Sequence, residues 1–155
     1  MRRALLRVHL ALALVVVLGA AFVRAEPAVD PRAEGERAVR AVLAEQVAAW
    51  NRHDLEGYMR GYLRSPELRF FAGASVTRGW QETLDRYRKR YQEGGKEMGT
   101  LEMRDVEVQV LSPSHAFARG RWHLAFSDGK TAEGLFTLLL EKQRDGFRIV
   151  HDHSS

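Results

Sequence analysis

The sequence predicts an α+β fold: three helices come first, and a curved antiparallel sheet wraps around them as a cone. Three observations predict it. Apolar residues recur at spacings of three and four as far as Tyr91. From Gly99 onward the period becomes two. The last stretch, Gly134 to Ser155, holds two apolar runs joined by Arg144-Asp145-Gly146, a hairpin signal that places this pair at the centre of the sheet.

The chain starts with a segment that does not belong to the fold. Arg2, Arg3 and Arg7 form a positive region, Leu10 to Ala21 carries no charge, and Val23-Arg24-Ala25 ends small-x-small before Glu26-Pro27. This pattern predicts a signal peptide over residues 1–25 and an exported protein, periplasmic or secreted. The charge-free run is shorter than the roughly 20 residues of a bilayer span, so no membrane association beyond the signal peptide is expected. Residues 26–33 read as a linker and helix start, and 34–155 as one domain. Residues 1–25 hold four Arg and no acid, so the remainder has 20 basic and 20 acidic side chains. That balance removes the support for a nucleic-acid role. The chain has no Cys, which excludes disulfides, thiolate metal sites and thiol nucleophiles.

Asp30-Pro31 is a helix start, with Asp as N-cap and Pro at the first position. Val39, Val42, Leu43, Val47 and Trp50 form its apolar face. Asn51-Arg52-His53-Asp54 interrupts it, with Asn51 as the residue tolerant of a left-handed backbone. Asp54 caps a second helix bearing Leu55, Tyr58, Met59, Tyr62 and Leu63, which Ser65-Pro66 stops. Residues 67–72 and 75–78 read as short strands. The third helix follows Gly79, with Trp80, Leu84, Tyr87 and Tyr91 on one face, and ends at Gly94-Gly95.

In the period-two region, Leu101 and Met103 alternate, and Val106, Val108 and Val110 alternate in the opposite phase. The slip at Arg104-Asp105 predicts a β-bulge. Ala116, Ala118, Gly120, Trp122, Leu124 and Phe126 share one face of the next strand, and His115, Phe117, Arg119, Arg121 and His123 share the other. Gly120 and Gly134, inside strands, predict bending or close approach.

Taken together, the three leading helices, the Trp50-Asn51-Arg52-His53-Asp54 junction, Gly79, the meander and the terminal Asp145-Gly146-Phe147-Arg148-Ile149-Val150-His151-Asp152-His153-Ser154 resemble the nuclear-transport-factor-2-like superfamily. The similarity is greatest to SnoaL-like domains and to the association domain of calcium/calmodulin-dependent kinase II. The resemblance implies a cystatin-like cone, a pocket between helices and sheet, and a homodimer formed through the sheet. Its members include ketosteroid isomerase, scytalone dehydratase, polyketide cyclases and limonene epoxide hydrolase, along with binding and assembly modules that perform no chemistry. Shape is therefore implied more firmly than activity.

Candidate ligand-binding residues are Trp50, Tyr58, Tyr62, Tyr87, Trp122, Phe136, His151 and His153. The aromatic residues suit a small hydrophobic or aromatic molecule, and core packing is the alternative for each. His151 and His153 share a strand face and are the candidate acid–base groups; a structural or interface role is the commoner use of such a pair. A metal would need a third ligand such as His123 or His53, and neither a metal nor a cofactor is expected. Asp152 is expected to face away from the pocket, toward an Arg or solvent. Asp54 is read as a cap rather than a base. A cofactor-free isomerase, dehydratase or hydrolase-type reaction would suit such a site. A self-assembly or protein-interaction module is the alternative.

Overall fold

The computed structural model describes residues 30–155. The expected signal peptide and residues 26–29 of the expected linker lie outside that range. Helix α1 (Pro31–Asn51) leads, followed by a five-residue α2 (Leu55–Met59), strands β1 (Arg69–Ala72) and β2 (Ser75–Arg78), and helix α3 (Trp80–Tyr91). The long strands β3 (Thr100–Ser112), β4 (His115–Ala125), β5 (Thr131–Gln143) and β6 (Gly146–Ser154) complete the chain.

Local chemistry sets the helix boundaries. The Asp30 carboxylate accepts from Arg32 N at 2.9 Å, and Pro31 occupies the first turn, where no N–H is needed. The left-handed residue after α1 is His53 (φ 63°), not Asn51. Asn51 stays helical, and its amide instead brackets Leu101, accepting from Leu101 N at 2.7 Å and donating to Leu101 O at 3.1 Å. This ties α1 to the start of β3. Asp54 caps α2 by accepting from Gly57 N at 2.7 Å. The second helix is shorter than its apolar stripe predicts. After Met59 the backbone leaves the helix to pair with β6: Leu63 N donates to Ile149 O at 2.8 Å, and Ile149 N donates to Gly61 O at 2.9 Å.

All six strands form one sheet in the order β2-β1-β6-β5-β4-β3. The β5–β6 hairpin is central, as the Asp145-Gly146 turn predicts. Pairing is antiparallel except between β1 and β6, which run parallel. Three register shifts interrupt the ladders, one of them between Val110 and Ser112 at the end of β3 and two inside the sheet. The predicted bulge is present on β3, where the register shifts between Arg104 and Glu107 and Asp105 adopts φ 53°. A second lies on β6: Leu139 pairs with His151 but Leu140 pairs with Ile149, so Val150 is an extra residue.

The helices pack against the concave face. Met59, Leu68, Leu84, Leu140, Phe147 and Ile149 are fully buried, each contributing about 1.5–3 kcal/mol. Gly120 permits a close approach across this face. A Cβ there would lie 2.9 Å from both Arg104 O and Phe136 Cζ, one a backbone atom that cannot step aside. Gly120→Ala is therefore expected to destabilise the protein by about 1–3 kcal/mol through overpacking. A urea midpoint and slope unchanged from wild type would show that the site accommodates the methyl group.

Candidate functional site

The cone encloses a half-open cavity of about 320 Å³ between the helices and the inner face of the sheet. Each wall follows from the periodicity of one element. From α1 come Gln46 and Trp50, one turn apart on the buried stripe; from the α2 segment come Tyr58 and Tyr62; from α3 come Tyr87 and Tyr91. The sheet supplies Phe70, Leu101, Met103, Trp122, Leu124, Phe136 and Leu138, together with Asp152 and Ser154 from β6.

The aromatic rings pack mostly edge to face. Trp50 meets Tyr58 at 5.1 Å, Tyr87 at 5.9 Å and Tyr91 at 4.8 Å between centroids, while Tyr58 meets Tyr87 at 5.3 Å. Trp50 Nε1 donates to the carbonyls of Met98 and Gly99 at 3.2 and 3.1 Å, so its polar tip is satisfied outside the cavity. Trp80 Nε1 is likewise held, by Met59 O at 2.8 Å. Trp122 Nε1 differs: it is buried and has no hydrogen-bond partner among the described residues. Gln46 Oε1 is in the same position, although its Nε2 donates to Tyr58 O at 3.2 Å. Gly61 makes room for this amide, since a Cβ there would meet Gln46 Cδ at 2.6 Å.

Asp152 sits in this apolar lining with only 3% of its surface exposed. Tyr62 OH donates to one carboxyl oxygen at 2.7 Å, and Ser154 Oγ donates to the other at 2.8 Å. Tyr58 OH extends the chain, 3.4 Å from Tyr62 OH. Burial pushes the Asp152 pKa up to about 6, against the opposing pull of the two hydroxyl donors and of nearby His153. Burial likewise pushes Tyr58 up to about 12 and raises Tyr62 and Tyr87 well above the ordinary phenol range, with the Asp152 charge adding to each. The tyrosines therefore stay neutral donors, while the carboxyl titrates near neutrality. Such a group can take and return a proton without a cofactor.

The structure brings Trp50, Tyr58, Tyr62, Tyr87, Trp122 and Phe136 together around the cavity. It does not place His151 and His153 there, and Asp152 takes the position expected for them. Unbroken alternation from Phe147 and Ile149 would carry both histidines inward. The extra residue at Val150 reverses the phase, so Asp152 and Ser154 turn inward and the histidines turn out. On the outer face His151 lies 5.1 Å from the Phe71 ring, and burial together with His153 lowers its pKa. His123 is also on that face, 3.4 Å from Arg104 Nη2 through Nδ1, and His53 sits in the α1–α2 turn. Among the described residues no three His, Asp or Glu side chains converge as a metal site. Asp54 is held by its capping bond and by Arg52 and Arg60, which together keep its carboxyl below the usual range.

Comparison with known proteins agrees with this architecture. The model of the SnoaL-like domain matches residues 39–155. The chain belongs to the SnoaL-like family. An NTF-2 like protein of unknown function from Shewanella oneidensis MR-1 is 37% identical; the match covers 77% of this chain and 98% of that one, with a TM-score of 0.72. An NTF2-like superfamily protein from Salmonella enterica serovar Typhimurium LT2 shares the fold at 21% identity, covering 79% and 91% of the two chains, with a TM-score of 0.63. A cystatin-like protein from Caulobacter vibrioides does so at 20% identity, 79% and 89% coverage and a TM-score of 0.59. A comparison with curated proteins returned no match.

Sequence reading missed Asp152, Gln46 and Ser154 as part of the site of this SnoaL-like domain. Gln46 was detectable, because it falls on the stripe Val39, Leu43, Gln46, Trp50 at helical spacing. Asp152 left a fainter signal in the adjacent apolar pair Ile149-Val150, where alternation breaks. Its buried carboxyl has a measurable consequence. The unfolded chain gives up this proton near 3.8 and the folded protein near 6. Stability linked to this group is therefore full below about pH 4, falls as pH rises to about 6, and stays lowered above that. Asp152→Asn is expected to abolish this fall and to exceed wild-type stability at pH 7–8 by on the order of 2–3 kcal/mol. Urea unfolding from pH 4 to 8 measures it, and identical pH profiles for the two proteins would contradict the assignment.

Proposed function

We propose that this SnoaL-like domain binds a small hydrophobic or aromatic molecule in the cone and that Asp152 transfers a proton on it in a cofactor-free reaction of the isomerase, dehydratase or hydrolase type. The observation that carries the reading is a carboxyl 3% exposed in the lining of a 320 Å³ aromatic cavity, bonded to two hydroxyls and titrating at about 6. The unpaired Trp122 Nε1 and Gln46 Oε1 in the same lining support it, because a buried polar atom left without a partner costs about 1–3 kcal/mol that a ligand recovers. In this reading Asp152 is the base, replacing the histidines, and Trp122 Nε1–H and Tyr58 O–H donate to a substrate oxygen as charge develops there.

The protein is further proposed to be exported, on the basis of the charge pattern of residues 1–25, and to dimerise through the outer face of the sheet. That face carries Phe117, Leu139 and Leu135, the last 52% exposed. Self-assembly without chemistry rests on this same surface and is the second reading.

Native mass spectrometry of the protein purified from its own host tests both readings. The expected spectrum shows a dimer that retains a small organic molecule. Ala72→Trp, which fills the cavity rim, is expected to release that molecule while leaving the circular dichroism spectrum unchanged. Asp152→Asn is expected to keep it bound but to slow its conversion about 100-fold or more. A dimer that emerges empty and binds no fragment from a small-molecule library would overturn the first reading in favour of the second.

A further inference from the structure

The cavity has a charge asymmetry that neither a neutral ligand nor the proton-transfer group accounts for. Apart from tyrosines, its lining contains three ionisable side chains: Asp152, Arg86 and Arg90. The two arginines lie four residues apart on α3, one helical turn, and Tyr87 and Tyr91 share the same spacing beside them. Arg86 is half-buried and Arg90 is exposed, whereas Asp152 is fully enclosed, so the positive charges lie at the rim and the carboxyl lies inside.

Neither rim arginine takes part in an ion pair among the described residues. Arg86 donates only to Thr77 Oγ1 at 3.3 Å, and its guanidinium lies 5.4 Å from the Phe70 ring centre. Arg90 Nε donates to Tyr91 OH at 3.1 Å, and its guanidinium lies 5.5 Å from the Tyr91 ring. Arg88, between them in sequence but on the outward side of α3, is compensated twice, by Glu56 at 2.6 Å and Asp85 at 3.4 Å. Carboxylate partners are thus supplied to the cation that faces away from the cavity and withheld from the two that face it. Each guanidinium lies over an aromatic ring and keeps N–H groups that have no partner among the described residues, free for a planar, doubly accepting anion.

Resting on the small-molecule reading above, we propose that the cone's ligand is an aromatic or alicyclic monocarboxylate: its carboxylate sits at the rim on Arg86 and Arg90, and its ring lies among Trp50, Tyr87 and Phe136. A second negative charge at the inner end would meet Asp152, so dicarboxylates are disfavoured. The inner end instead carries a neutral oxygen or an acidic C–H within reach of Trp122 Nε1 and the carboxyl.

Isothermal titration with 2-naphthoate, its uncharged amide 2-naphthamide and 2,6-naphthalenedicarboxylate tests this. Wild type is expected to bind 2-naphthoate about tenfold or more tightly than 2-naphthamide, the contribution of a charge-assisted hydrogen bond, and to bind the dicarboxylate more weakly than 2-naphthoate. Arg86→Gln and Arg90→Gln are each expected to narrow the preference for naphthoate over naphthamide. The double variant is expected to bring it close to one while leaving the 2-naphthamide affinity within about twofold. Equal binding of naphthoate and naphthamide by wild type, or a preference that survives in the double variant, would overturn the carboxylate assignment and leave small-molecule binding intact. A folded wild type that binds none of the three would overturn this proposal and leave the small-molecule reading to the mass-spectrometric test above.

Discussion

Val150 is one residue more than its partner strand can match, and the working interior of the domain depends on that mismatch. Upstream of it, Phe147 and Ile149 face the core. Downstream, inward positions fall to Asp152 and Ser154 instead of His151 and His153. The same short stretch positions the carboxyl's main partner, because Gly61 and Leu63 bond to the Ile149 backbone and thereby set Tyr62 beside β6. The hydrogen bond between Tyr62 and Asp152 is thus built from two segments docked on one residue. Positional precision of this kind comes from backbone pairing, which is stiffer than side-chain packing.

Burying an acid in a lining that holds eight aromatic residues opposes folding, and the rest of the domain offsets it. The buried aliphatic and aromatic residues beneath the sheet supply the excess stability, and Gln46, Tyr58 and Trp122 carry polar atoms whose partners are few or absent. Natural sites commonly hold such locally unfavourable arrangements inside an otherwise well-packed frame. Here the frame and the under-partnered groups share the same elements: α1 presents Leu43 to the core and Gln46 to the hollow within one turn.

Much of the frame was legible in the sequence because it obeys simple periods. The Asp30-Pro31 start, the three helical stripes, the meander and the Arg104-Asp105 slip all have strong local signals, and Trp50, Tyr58 and Tyr87 reach the cavity because helical spacing puts them on the inner face. Where local signals competed with pairing to a distant strand, the pairing prevailed. Tyr62 and Leu63 have helical spacing but give up the helix for β6. Asn51, suited to a left-handed end, is more useful bracketing Leu101. The β6 bulge was harder to see than the β3 bulge because it sits within a short run that continues in either phase without exposing a long apolar side chain. A one-residue slip there exchanges imidazoles for a carboxyl, which changes the chemistry while barely changing the hydrophobic pattern.

The parallel partnership of β1 with β6 also joins segments that lie far apart in the chain. The β1–β2 ribbon has only four residues in each strand, and its link to the remainder of the sheet is residues 146–154, roughly eighty positions further along. An isolated ribbon of that length is marginal in water. Closing a loop of that length carries an entropic cost, and pairings this far apart in sequence are of the kind that slow folding.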